Sequence, residues 1–116
     1  MILTSSLEKC DIGDPSDEQI VNQIERVLIE TESSGEEFVV LAEGRYGVWK
    51  KYGPSLIQIV SSPMGWIVEY RDGGTGKLYR APRAVDRQRL QEMFLQFARR
   101  DVAYRSSVAW NDVTDL

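Results

Sequence analysis

Apolar positions recur along this chain with two different periods, and the change from one to the other near residue 38 separates helix from sheet. Before it, Ile20, Val21, Ile24, Val27 and Leu28 fall three and four apart, which places them on one stripe of a helix. Two start signals precede that stripe. Asp14 can accept the free amides of the first turn, Pro15 suits the first helical position, and Asp17 and Glu18 favour the positive helix end. Ser16 with Gln19 offers a capping box shifted by two residues. Ser33, Ser34 and Gly35 terminate the helix; upstream, Ile2 and Leu3 predict an edge strand and Asp11 to Pro15 a loop.

From Phe38 the pattern becomes a series of short β-rich runs punctuated by turn residues, as in an antiparallel meander. Phe38 to Ala42 is the first, Tyr46 to Lys51 the second after a turn at Glu43-Gly44, and Leu56 to Val60 the third after Gly53-Pro54. Ser62-Pro63-Met64-Gly65 has the composition of a tight turn. Gly65 to Arg71 then alternates, with Trp66, Val68 and Tyr70 on one side and Ile67, Glu69 and Arg71 on the other, the pattern of a central strand. Asp72 to Gly76 makes a hairpin loop into Lys77 to Ala81. Asp86 is an N-cap for a second helix whose core stripe is Leu90, Met93, Phe94, Phe97 and Ala98, with Arg87, Gln88, Gln91 and Glu92 facing water. That helix ends near Arg99 and Arg100, and Val108 to Trp110 predicts a last strand. The expected fold is α+β: a meander of about six strands packed against two α-helices, in the order β-α-β-β-β-β-β-α-β.

Composition adds limits to this picture. The 116 residues fit one domain over 1–116, and apolar and charged fractions of 42% and 28% match ordinary globular chains. The longest apolar runs fall far short of a membrane span, and Met-Ile-Leu-Thr-Ser-Ser-Leu-Glu-Lys lacks the pattern of a secretory signal, so the expected location is the cytoplasm. Cys10 is the single cysteine, which excludes an internal disulfide and a multi-cysteine zinc site.

Charge is unevenly spread. Residues 1–44 carry eleven acids against Lys9 and Arg26, a balance of −9, and residues 45–116 carry twelve bases against seven acids, a balance of +5. An acidic front and a pI near 4.8 argue against direct nucleic-acid binding and for a basic protein partner, unless the two halves neutralise each other on folding.

Catalytic signals are weak. Histidine is absent, which removes the commonest general base and metal ligand, so no cofactor, metal or catalytic residue is expected. Glu69 with Asp72 is the nearest carboxylate pair, but a strand-end acid and a turn-opening Asp are ordinary features. Gly73, Gly74 and Gly76 enter a strand and not a helix, against the context of a phosphate loop. Aromatics interleaved with Lys50, Lys51, Arg71 and Arg80 could stack on single-stranded nucleic acid, although filling the core is the simpler role. Tyr46, Trp49 and Tyr52 are the aromatic candidates for a protein interface, and Asp11, Asp14, Asp17 and Glu18 the electrostatic ones.

The succession of helix 1, a meander carrying Trp66-Ile67-Val68-Glu69-Tyr70-Arg71-Asp72-Gly73, helix 2 as Leu90 to Ala98, then Tyr104-Arg105 and Val108-Ala109-Trp110, resembles the small bacterial α+β immunity proteins of polymorphic toxin systems. The resemblance implies a non-enzymatic protein that binds a cognate toxin or effector domain, often a nuclease or deaminase, and blocks its active site. The run Tyr52 to Ser61 departs from that pattern by lengthening the meander. An acidic secretion chaperone holding an effector segment is the alternative expectation and a small enzyme the third; the sequence leaves the oligomeric state open.

Overall fold

The computed structural model describes residues 1–7, 11–30, 37–44, 53–62 and 65–115. In chain order they form β1 (Ile2–Ser5), β2 (Ile12–Gly13), α1 (Asp17–Glu30), β3 (Phe38–Ala42), β4 (Leu56–Ser62), β5 (Gly65–Arg71), β6 (Leu78–Arg80), α2 (Arg87–Ala98), a 3₁₀ turn (Val102–Ser106) and β7 (Asn111–Asp112). The strands make one antiparallel sheet in the order β2-β1-β3-β4-β5-β6-β7, with both helices on one side, so the α+β architecture is as expected.

The helix stripes dictate which side of the sheet becomes core. Ile20, Ile24 and Val27 of α1 and Phe94 of α2 are 0% exposed against Val39, Leu41, Ile57, Ile59 and Val68, also 0% exposed. Burying these branched and aromatic side chains removes apolar area from water and is the main stabilising term of the fold. Polar ties then set the angle of the layers. Ser5 Oγ donates to Gln23 Oε1 at 2.8 Å in a buried bond between sheet and α1. Glu25 of α1 accepts from Gln91 and pairs with Arg87 of α2 at 3.3 Å. Gln91 and Arg87 therefore link the helices, where the periodicity alone had them facing water.

Several local expectations are corrected. α1 begins at Asp17 through the Ser16–Gln19 box, in which the Ser16 amide donates to Gln19 Oε1 at 2.9 Å and the Gln19 amide to Ser16 Oγ at 3.2 Å. Asp14 is not the cap: its φ of 45° puts it in the left-handed region, and its amide donates to the Met1 carbonyl at 2.8 Å. The expected loop at Asp11 to Pro15 contains β2, which displaces Ile2 and Leu3 from the edge, because β1 pairs with β2 on one side and β3 on the other. β3 is hydrogen-bonded directly to β4, from Phe38 opposite Val60 to Ala42 opposite Leu56, so the two are neighbours in the sheet. The expected strand Tyr46 to Lys51, the helix stop at Ser33 to Gly35, the Pro63-Met64 corner and Cys10 lie outside the described residues.

At the far flank the closing strand is Asn111–Asp112 and not Val108 to Trp110. Val108 and Trp110 instead pack against the core, and Trp110 Nε1 donates to the Tyr104 carbonyl at 3.3 Å. The Asp86 cap on α2 is formed, its side chain accepting from the Arg89 amide at 3.0 Å. In the β5–β6 hairpin a side chain at Gly73 would sit 2.7 Å from the Ser55 amide nitrogen, so this glycine is required by close approach of two loops. No helix of the described residues is long and apolar enough to cross a membrane.

Candidate functional site

Strand residues alternate between the two faces, so every core residue leaves a neighbour on the side away from the helices. The pairing registers align those neighbours into three rows running across the strands. One reads Ile2, Ala42, Leu56, Arg71 and Leu78; the second Thr4, Val40, Gln58, Glu69 and Arg80; the third Phe38, Val60 and Ile67. The first and third rows are mainly apolar, which is unusual for a face that bears no helix among the described residues. Phe38 lies in this surface, not in the core where the sheet aromatics were expected.

The middle row holds a polar network. Glu69 is opposite both Gln58 and Arg80, and its side chain is 6% exposed against 42% for Arg80. Gln58 Nε2 donates to Glu69 Oε1 at 2.9 Å, while Arg80 donates to Oε2 through Nε at 2.9 Å and Nη2 at 2.8 Å. Three donors on one carboxylate satisfy it without water. Asp72 is engaged elsewhere, with Arg105 at 3.9 Å and the Gly74 amide at 2.9 Å, so Glu69 and Asp72 do not form an acid–base pair. The Gly73 amide is likewise taken by Ser55 Oγ at 2.8 Å, which uses up donors that a phosphate would need.

At the β1 end of this face lies an apolar groove of about 300 Å³, lined by Ile2, Val40, Ala42 and Leu56 with Thr4 and Asp11 at its polar margin. Asp11 accepts from Thr4 Oγ1 at 2.9 Å, which holds its carboxylate beside the groove. The structure thus brings the first of the expected acidic contacts together with the apolar rows. The other three lie beyond it: Asp14, 98% exposed at the side chain, pairs with the N-terminal ammonium at 3.2 Å; Asp17 pairs with Arg99 at 2.6 Å; Glu18 is exposed in the first turn of α1. Tyr46, Trp49 and Tyr52 lie outside the described residues.

The charge asymmetry of the chain is partly consumed internally. Asp17 with Arg99, Glu25 with Arg87, and Glu43 with Arg100 at 3.6 Å each join an acid before residue 45 to a base after it. Asp17 is therefore a strut between the start of α1 and the end of α2 as well as a surface charge. Gln58 and Val40 were not singled out from the sequence, whereas Glu69 was weighed only beside Asp72 and Arg80 only as a base among aromatics; the alternation through Gly65 to Arg71 already set Glu69 on the face opposite Val68.

On the helix side, the sheet's aromatics close on themselves. Tyr70 stacks on Tyr79 with centroids 4.9 Å apart and meets Tyr104 and Trp110 edge-on at 5.3 and 4.7 Å. The Arg105 guanidinium covers this cluster, 5.4 Å from the Tyr70 centroid and 5.7 Å from that of Tyr104. Burial raises the Tyr70 hydroxyl above the ordinary tyrosine value, against the opposing pull of Arg105. Among the described residues no group of three or more acids, cysteines or histidines is placed to hold a metal ion. Compared with known protein-family models, characterised proteins and solved structures, the chain matches none.

Proposed function

We propose that this chain is a non-enzymatic, immunity-type inhibitor that binds a basic toxin or effector domain and occludes its active site, docking through the helix-free face of its sheet. The observation that carries the reading is the seating of Asp11 beside the apolar groove of Ile2, Val40, Ala42 and Leu56. An apolar centre with a charged margin has the composition of a protein interface: the apolar part supplies buried area, and the acid steers and selects a cationic partner. The net charge of −4 supports the same choice of partner. Addition of a partner strand to a sheet edge is a poorer route, because the edge strands β2 and β7 are two residues each.

The neighbouring genes test the proposal first, since it expects one of them to encode a toxin domain, and co-expression with that domain tests it next. Protection of the cells is expected, together with its loss in Val40→Asp and a slower, less salt-sensitive association in Asp11→Lys. Unprotected cells with the intact chain would sink the reading.

A further inference from the structure

We infer that the turn of the β5–β6 hairpin, which lies outside the apolar groove, sets one wall of that groove, with Gly73 and Ser55 as positioning residues for the partner side chain seated there. The inference rests on the reading of the groove as the docking site and adds where its shape is decided. Ile2, Val40, Ala42 and Leu56 are strand residues of the lining, fixed by the ladder registers, and Pro54 lines the groove beside them. Pro54 has no such support. It precedes β4 and, lacking an amide hydrogen, donates no backbone bond of its own, yet its side chain is fully buried.

Bonds from other segments hold Pro54 in place. The Ser55 carbonyl accepts from the Glu43 amide at 3.0 Å, the Pro54 carbonyl from Arg71 Nη2 at 3.4 Å, and Ser55 Oγ from the Gly73 amide at 2.8 Å. Two of these donors belong to β5 and the turn after it. A Cβ at Gly73 would meet the Ser55 nitrogen at 2.7 Å and the Gly53 carbonyl oxygen at 2.9 Å, backbone atoms that no change of rotamer withdraws. Pro54 is the residue between the two atoms struck. The turn itself is braced: the Asp72 carbonyl accepts from the Gly76 amide at 2.7 Å, Asp72 Oδ1 from the Gly74 amide at 2.9 Å, and Asp72 Oδ2 lies 3.9 Å from Arg105 of the 3₁₀ turn. A side chain at position 73 therefore displaces residues 53–55, and the outline of the groove depends on the size of a residue that lies outside it.

Methyl NMR of the purified chain reads this wall without any partner. Gly73→Ala and the milder Ser55→Ala should both shift the methyl resonances of Ile2 and Val40, which share the groove with Pro54 but are not its chain neighbours, and leave those of Ile24 and Leu90 in the core in place. Thr75→Ala, in the same turn, should move neither set, since its exposed hydroxyl accepts only from the Lys77 amide at 3.3 Å. Affinity for the toxin domain, measured by calorimetry, should fall at least about tenfold in Gly73→Ala and about threefold in Ser55→Ala, the weights of an overpacked contact and of one hydrogen bond. Ile24→Val, which weakens the core without touching the groove, should bind as the parent does. Far-UV circular dichroism checks folding, and Ser55→Ala decides the matter where Gly73→Ala does not fold. Groove methyls that stay in place in the folded variants, or a binding loss that Ile24→Val reproduces, overturn the inference. A chain that shows the methyl shifts and yet protects no cell overturns the docking reading alone.

Discussion

The two faces of this sheet are built by the same strands and differ in what their side chains have to satisfy. On the helix side, Val39, Leu41, Ile57, Ile59 and Val68 are wholly buried, and each faces apolar neighbours. On the other side most of the intervening residues are half-buried, Leu56 being buried, and the one carboxylate among them reaches near-complete burial because Gln58 and Arg80 donate to it. The first face derives its stability from packing. The second spends side-chain area on a surface that the fold does not require, which is why we read it as the binding face.

Mutations can break this contrast in graded steps. Phe94→Ala, at a position with 0% exposure, should cost about 3–5 kcal/mol by urea denaturation, the range for an aromatic removed from a close-packed core. A loss below about 1 kcal/mol would mean that the helix side is not the stabilising face. Glu69→Gln removes the charge from the second face and keeps its shape. Because Arg80 is 42% exposed and can turn to water, the expected cost is about 1–2 kcal/mol, not the larger penalty of a fully buried pair. A double-mutant cycle with Arg80 measures the coupling.

Val40→Ala sharpens the comparison further. It should lower stability by under about 1 kcal/mol, since Val40 borders a groove and leaves no closed cavity. If the groove is the binding face, the effect on partner binding should exceed the effect on folding, as read by protection on co-expression beside urea denaturation. Smallest is an alkaline effect from the first face. The Tyr70 hydroxyl is raised by burial, so the folded chain holds its proton more tightly than the unfolded one. The Tyr70 contribution is fully present below the ordinary tyrosine value of 10.0 and is lost as pH rises through the folded value. Stability measured from pH 9 upward, at about half-unit steps, should therefore fall less steeply in Tyr70→Phe than in the parent chain. Equal slopes would remove Tyr70 from the account.

How legible these features were varied with the range of the interaction behind them. The stripes of α1 and α2, the Asp86 cap and the alternation of β5 arise from residues within one or two turns or along one strand, and each formed as read. The start of α1 was a contest between two local signals. Ser16 and Gln19 hold each other reciprocally, whereas Asp14 is drawn away by the Met1 carbonyl and the N-terminal ammonium, thirteen residues distant. β2 and β7 were illegible, since two residues carry no period and both exist only as additions to a neighbour already in place.

The candidate surface divides along the same line. Acidity at Asp11, Asp14, Asp17 and Glu18 could be counted from the chain, but Asp17 finding Arg99, or Asp11 finding Thr4 at the lip of a groove, depends on which distant elements fold against one another. Phe38-Val39-Val40-Leu41-Ala42 shows the limit most plainly, being apolar at every position. Its composition established a strand and an α+β chain without saying which alternate set would be buried. That choice fell to the helices, because their apolar stripes can cover only one side of the sheet; Val39 and Leu41 became core, and Phe38, Val40 and Ala42 became surface.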